Sequence, residues 1–296
     1  MSGSFSLRRL SQKELSTVLL CMTHIDRLSY SLCSKRCKTS ITELNLNASK
    51  VTVQVSDNFK INLAFYDFRL LSIFTRSQTN QNAVLNLDAQ QNLVVTLPYQ
   101  AGIISWNYNG LSCYEWLAHC MEIYHIDIID KVMLFSDHYG FGQVRRIFEL
   151  YQIQFIMTDS DVGAELVHGI LSLHLKCNQV SINVDSFGIR NRLESKDLNR
   201  FLKIWMRSPK QRLKTFKAEI SNQPDLNENR IMRGIYHTAI AREDLEEKMR
   251  AHGYNVNDDE GIVNEGFNIR SRDGREATVY FREVNQITLV KLFVWN

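Results

Sequence analysis

The residues with the most potential for chemistry in the middle of the chain are Asp137 and His138, followed by Gly140-Phe141-Gly142. Adjacent carboxylate and imidazole groups at a strand end can act as an acid-base pair, and a glycine-rich turn before a helix can bind phosphate. The chain has no G-x-S-x-G, P-loop, H-E-x-x-H or G-x-G-x-x-G motif. A turn between a strand and a helix contains the same residue types, so we predict no catalytic residue and a protein that is not an enzyme.

Cys33 and Cys37 are one helical turn apart, and with His24 they have the residue types of a metal site. The six cysteines include no C-x-x-C pair, and such cysteines are more often small buried hydrophobic residues. We interpret them as reduced thiols of a cytoplasmic or nuclear protein, and predict neither a metal nor a cofactor. The longest apolar run, Val18 to Met22, is too short for a membrane span or a signal-peptide core, so no membrane contact is expected.

Basic residues are concentrated at 190–218, which contains ten Lys and Arg against two Asp and Glu. Such a segment can bind a nucleic-acid backbone, with an affinity that falls steeply with salt. The following residues, 219–265, include five basic and eleven acidic residues, and the whole chain has a formal charge of only +3. We favour charge neutralisation within the fold over nucleic-acid binding. A docking surface for an acidic substrate protein is a third interpretation.

The amino-terminal 42 residues have the periodicity of two or three short helices. Ser11 and Glu14 have the S-x-x-E spacing of a capping box, which predicts a helix start at Ser11. Apolar residues then recur at three- and four-residue intervals, first from Leu15 to Met22 and again from Ile25 to Ile41. A unit of this size rarely has a self-sufficient core, so we expect its apolar edge to pack against another surface.

The hydrophobic period changes to two after Leu44, and predicted strands alternate with predicted helices after Gly110. Four of these strands are centred near residues 133, 155, 181 and 217. Their spacing favours a leucine-rich-repeat-like solenoid, whose broad concave face suits another protein, over the alternative of a doubly wound α/β domain. The predicted fold class is α/β (α+β overall), with a C-terminal β-hairpin in which Asp273-Gly274 supplies the positive φ angles of a tight turn.

The stretch from Phe5 to Ile41, above all LSYSLCSKRCKTSI at Leu28–Ile41, resembles the F-box of the large nematode-expanded family. The resemblance implies a three-helix motif at residues 5–42 that binds the Skp-type adaptor of a cullin-RING ubiquitin ligase. Ser11 stands where the family has Pro after Leu10. Some apolar residues of the motif must form its own core, and periodicity does not separate these from contact residues. The candidate adaptor-binding residues are Leu7, Leu10, Leu15, Leu19, Leu28 and Leu32.

A second resemblance concerns the remainder of the chain. SKDLNRFLKIW at Ser195–Trp205, followed by Leu213–Ile220, looks like the end of a type 2 F-box-associated domain (FBA_2), placed at about residues 125–205. EGFNIRSRDGREATVYF is similar to the C-terminal tail of these proteins, so the hairpin at 265–295 belongs to the same domain. Four large residues share one face of the first motif: Leu198, Phe201, Leu202 and Trp205. A stripe of this kind favours packing over contact with a partner.

Together the resemblances imply a substrate-recognition subunit of an SCF-type E3 ubiquitin ligase. Residues 5–42 would bind the Skp-type adaptor of the cullin-RING complex, and residues 45–296 would bind an unidentified substrate protein. Such a receptor needs no catalytic side chain, because it works by holding its target close to a charged conjugating enzyme. The alternative is a nucleic-acid-binding repeat protein that uses segment 190–218.

Overall fold

The chain forms two compact units in the computed structural model. One unit contains residues 1–53 and 58–129, and the other contains residues 54–57 and 130–296. The predicted boundary between residues 42 and 45 therefore lies inside the first unit. The mixed α/β class is confirmed, because the described residues form nine α-helices and thirteen strands. The described residues are 7–66, 70–75, 87–89, 93–96, 103–106, 110–135, 140–159, 162–172, 177–184, 193–208, 212–221, 226–254, 266–284 and 287–295.

The first unit begins with short helices and continues with strands and one longer helix. Its elements are a 3-10 turn (Leu7–Arg9), α1 (Gln12–Cys21), α2 (His24–Leu32), α3 (Lys35–Thr42), β1 (Lys50–Val55), β2 (Phe59–Ala64), β3 (Leu70–Thr75), β4 (Leu93–Thr96), β5 (Ile103–Trp106) and α4 (Cys113–Ile123). The predicted helix start is confirmed, because Ser11 is the N-cap of α1 and forms both bonds of the capping box. Strand β2 alternates buried and half-buried residues, as its period of two predicts. Strands β2 to β5 pair in chain order, each antiparallel to the next.

The second unit alternates strands and helices before it ends in three strands. Its elements are β6 (Ile128–Leu134), α5 (Phe141–Leu150), β7 (Gln152–Thr158), α6 (Ala164–Ser172), β8 (Cys177–Val184), α7 (Ser195–Arg207), β9 (Thr215–Ser221), α8 (Glu228–Ile231), β10 (His237–Ile240), α9 (Arg242–Ala251), β11 (Gly266–Arg270), β12 (Glu276–Val284) and β13 (Ile287–Trp295). The spatial order of its strands is β10-β11-β12-β13-β9-β8-β7-β6.

The strand order bears on the two predicted architectures. Strands β6, β7, β8 and β9 are neighbours in chain order, and the β7–β8 and β8–β9 pairs are parallel. This order lacks the reversal point of a doubly wound sheet. Beyond β9 the sheet becomes antiparallel, through β13, β12, β11 and β10. The repeat interpretation therefore stays a prediction for β6 to β9 and does not extend to the C-terminal strands.

The C-terminal hairpin joins β11 to β12 as predicted, but its turn differs in detail. Arg270 pairs with Glu276, which leaves a five-residue loop where the sequence suggested a tight turn. Gly274 has a φ of 90°, whereas Asp273 is outside the positive region and accepts a hydrogen bond from Arg275 Nε at 2.9 Å. A single glycine therefore satisfies the backbone requirement, and the aspartate ties the loop together.

Of the residues considered for an acid-base pair and a phosphate-binding turn, the structure describes only some. Asp137 and His138 lie outside the described residues, while Gly140 and Gly142 lie at the start of α5. Among the helices that the structure describes, none combines the length and the hydropathy needed to cross a bilayer.

Candidate functional site

The structure separates the six candidate leucines into two groups. Leu15, Leu19 and Leu28 are buried inside the first unit, with exposed fractions of 6%, 0% and 0%. In this conformation they have no free surface for a partner, so we assign them to the core. Leu7, Leu10 and Leu32 are half-buried and keep part of their surface. The hydrophobic periodicity of the sequence did not distinguish these core residues from the residues that could contact a partner.

Leu20 is an exposed residue that the sequence reasoning missed. Its side chain is 53% exposed near the end of α1, directly after the fully buried Leu19. Arg27 of α2 fixes this end of the helix, because its Nε donates to Leu19 O at 2.8 Å and its second guanidinium nitrogen donates to Leu20 O at 2.7 Å. A buried cation that binds the last carbonyls complements the negative end of the helix dipole. The sequence signal for this exposed residue was that Leu20 directly follows Leu19 and so lies beside the apolar face predicted for α1.

The amino end of α1 is held by a reciprocal set of hydrogen bonds. The backbone N–H of Ser11 donates to Glu14 Oε2 at 2.8 Å, and Glu14 N–H donates to Ser11 Oγ at 3.4 Å. The Ser11 hydroxyl also donates to Glu14 Oε2 at 2.6 Å. The hydrogen bonds from the Ser11 side chain and backbone lower the pKa of Glu14. Both Ser11 and Glu14 are exposed, so this corner is accessible from solvent.

Helices α2 and α3 pack against α4 through buried and exposed polar contacts. The Ser31 hydroxyl donates to Leu28 O at 2.6 Å, so His119 Nε2 must carry the hydrogen that it shares with Ser31 Oγ at 2.7 Å. Burial lowers the pKa of His119 to about 4, which keeps its imidazole neutral. Lys38 and Glu122 form an ion pair at the edge of the same contact. Part of the apolar surface expected on α2 and α3 is therefore covered within the first unit.

The three residues considered for a metal site have separate environments. His24 is buried and stacks on Phe65 with 3.8 Å between the ring centroids, whereas Cys33 is exposed and Cys37 is buried. Within the described residues, no three His, Cys, Asp or Glu side chains form a group that could hold a metal ion. The arrangement gives His24 and Cys37 a role in packing.

The FBA_2-like motif of the second unit forms α7 and β9. All four residues of the α7 stripe are buried, with exposed fractions of 4% or less, which confirms the prediction that they pack in the core. The ring of Phe201 lies 4.4 Å from that of Phe216 on β9, so α7 covers one side of the sheet. Residues on the other side of β9, including Lys217 and Glu219, are half-buried.

Comparison with known proteins gives one match. Residues 173–218 match the family model FBA_2, described as F-box associated. The matched segment includes β8, α7 and the first four residues of β9. It overlaps the predicted range of 125–205 and extends past its end. No curated protein and no solved structure matches the chain. The second unit therefore contains a segment that is similar to F-box-associated domains.

The basic residues of the matched segment are divided between paired and exposed positions. Lys196 pairs with Glu194, and Lys217 pairs with Glu219. The acidic helix α9 forms ion pairs of its own, since Glu246 contacts both Arg242 and Arg250. Part of the charge neutralisation expected for segment 190–218 therefore comes from acidic residues two positions away from the basic ones. Further basic side chains of the segment are solvent-exposed: Arg200, Arg207, Arg212 and Lys214.

Proposed function

We propose that the chain is the substrate-recognition subunit of an SCF-type (cullin-RING) E3 ubiquitin ligase. The match of residues 173–218 to an F-box-associated model carries this proposal. In it, α1 to α3 act as the F-box that binds the Skp-type adaptor, and the second unit binds the target. The chain supplies no catalytic group, and it acts in the cytoplasm or nucleus. Its contribution to ubiquitin transfer is the high effective concentration of a target held near the conjugating enzyme.

The proposed adaptor surface combines the exposed Leu20 with the half-buried Leu7, Leu10 and Leu32. These side chains retain apolar area that a partner could bury, whereas the other three candidates lie in the core. The buried Arg27 and the Ser11 capping box hold the two ends of α1 and so fix the position of this surface.

The proposed target surface is the side of β7, β8 and β9 that lies opposite α7. Met157, Ser181 and Lys217 occupy one row across the three strands, and all three are half-buried. If these strands form the predicted repeat, this row lies on its concave face, which suits a protein target. The chain-order arrangement of β6 to β9 supports this interpretation.

The decisive experiment is a pull-down of the Skp-type adaptor by the full chain and by single variants. Leu10→Asp, Leu20→Asp and Leu32→Asp should each weaken binding about tenfold or more, because a charge buried without a partner costs at least ~1.4 kcal/mol. Leu150→Asp is the matched control, since Leu150 is 57% exposed on α5 of the other unit. Circular dichroism verifies that each variant is folded. The proposal fails if the parent chain does not bind the adaptor, or if folded variants bind as well as Leu150→Asp.

Nucleic-acid binding is a second candidate function, because four basic side chains of the matched segment are exposed. Retention of the parent chain on nucleic acid at about 0.2 M salt, lost after Arg207→Gln and Arg212→Gln, would favour it. Adaptor binding without such retention favours the ligase subunit.

A further inference from the structure

An exposed serine at the N-cap of α1 follows two arginines, with one residue between them. Arg8 and Arg9 precede Ser11 by three and two residues, and both Arg9 and Ser11 are exposed. Guanidinium groups form bidentate, charge-assisted hydrogen bonds with carboxylates, and protein kinases use such charge patterns to choose their substrates. Two arginines at this fixed distance before an accessible hydroxyl therefore match the acidic substrate groove of an arginine-directed serine/threonine kinase.

The backbone around Ser11 is open to an enzyme. Ser11 has an extended conformation, with φ of −62° and ψ of 159°, and the next residues, Gln12 and Lys13, are exposed. The preceding 3-10 turn spans three residues and is closed by a hydrogen bond from Leu10 N to Leu7 O at 3.2 Å. Short 3-10 turns and helix ends open locally at low cost, so the segment can extend along a kinase groove.

Within the part of the chain that the structure describes, two helix starts are close structural counterparts of this corner. Thr23 caps α2 with Asp26, and Ser112 caps α4 with Glu115, each through the same reciprocal bonds as Ser11 with Glu14. The residues three and two places before Thr23 are Leu and Cys, and those before Ser112 are Asn and Gly. The three hydroxyls share their capping geometry, but Ser112 is buried and Thr23 is half-buried. Ser11 is therefore distinguished by its exposure together with the arginine pair.

We propose that Ser11 is the phosphate acceptor of an arginine-directed serine/threonine protein kinase. The co-substrate is ATP: Ser11 Oγ forms a bond to the γ-phosphorus, the bond from that phosphorus to the β,γ-bridging oxygen breaks, and ADP leaves with the electron pair. A base of the kinase takes the hydroxyl proton. The product is phosphoserine at the N-cap of α1.

Phosphorylation would rearrange the capping box. The Ser11 hydroxyl contacts Glu14 Oε2 at 2.6 Å, so a phosphate of charge near −2 on this oxygen would repel the carboxylate. The phosphate oxygens would instead accept from the free N–H groups of the first turn, where the helix dipole favours negative charge. Leu10, the adjacent residue, belongs to the proposed adaptor surface, so we expect adaptor binding to weaken. That last consequence rests on the proposed function, whereas the modification does not.

The test uses the folded full chain with ATP, Mg²⁺ and the catalytic subunit of cAMP-dependent protein kinase as the probe. Peptide mass spectrometry should find one phosphate on Ser11 and none on Thr23 or Ser112. Ser11→Ala should abolish this phosphate, and Arg9→Gln should slow its incorporation about tenfold or more. No incorporation into the folded chain, equal incorporation at Thr23 or Ser112, or an unchanged rate in Arg9→Gln would each overturn the proposal.

A pull-down of the adaptor by phosphorylated and unmodified chain then tests the consequence. Weaker binding of the phosphorylated chain supports regulation at this corner, and equal binding refutes it while Ser11 remains an acceptor. If neither form binds the adaptor, the proposed function fails, and the phosphorylation result stands by itself.

Discussion

Gly169 in α6 offers a test of packing in the second unit, because two opposing effects decide the sign of Gly169→Ala. An alanine in a helix interior is favoured over glycine by about 1 kcal/mol. A Cβ at this position, however, would come well inside 3.0 Å of three carbons of the Phe141 ring on α5. Overpacking of this kind costs about 1–3 kcal/mol. The ring is half-buried and can only partly move away, so we expect the cost of the clash to outweigh the gain, with a net loss of up to about 2 kcal/mol.

The assay is urea denaturation followed by circular dichroism, with Gly142→Ala as the matched control. Gly142 also lies in a helix, but a Cβ there meets nothing within 4 Å, so this variant should be more stable than the parent by up to ~1 kcal/mol. In a Phe141→Ala background the ring is absent, and Gly169→Ala should become neutral or stabilising. Equal stabilisation by Gly169→Ala and Gly142→Ala in the parent chain would refute the predicted contact between α5 and α6.

Two further predictions concern buried polar groups. Burial lowers the pKa of His119 from its ordinary 6.5 to about 4, so the unfolded chain takes up a proton at a higher pH than the folded chain does. Protonation of His119 should therefore not affect the free energy of unfolding above pH 6.5, but should reduce it by about 3 kcal/mol as the pH falls toward 4. His119→Gln, which keeps a donor for Ser31, should flatten this part of the profile of urea midpoint against pH; an unchanged slope would contradict the assignment. Trp295 Nε1–H donates to Thr278 Oγ1 at 2.8 Å, and Thr278→Val removes this acceptor. The variant should lower the free energy of unfolding, measured by urea denaturation, by about 1–3 kcal/mol. Thr238→Val, at an exposed site, should lower it by less than ~0.5 kcal/mol. Similar losses in both threonine variants would exclude the hydrogen bond as the cause.

Sequence reasoning succeeded where a few neighbouring residues determine the structure. The Ser11 and Glu14 spacing identified the start of α1, because both partners of the capping box lie within one turn. The stripe in Ser195–Arg207 likewise identified α7 and its buried face, since side chains three and four residues apart share one side of a helix.

Strand neighbours were beyond the reach of the same reasoning. Alternation along a strand indicates which residues point to the same face, but it carries no information about the strand that lies alongside. The structure places β13 between β12 and β9, so the last strand pairs with one that is about seventy residues earlier in the chain, as the Lys291 and Lys217 register shows. This long-range pair is what turns a parallel series of strands into a mixed sheet.

The candidate adaptor surface shows why an apolar pattern alone overestimates a binding site. A periodic stripe records that side chains avoid water, and a core or a partner serves equally well. Here α4 covers part of α2 and α3, through the Ser31–His119 and Lys38–Glu122 contacts, which leaves Leu20 and a few half-buried leucines for a partner. A small apolar area gains limited free energy on burial, so each remaining side chain carries a larger share of the affinity. A single charge at Leu20 should therefore weaken adaptor binding more than it destabilises the fold, whereas a truncation at the buried Leu19 should do the reverse.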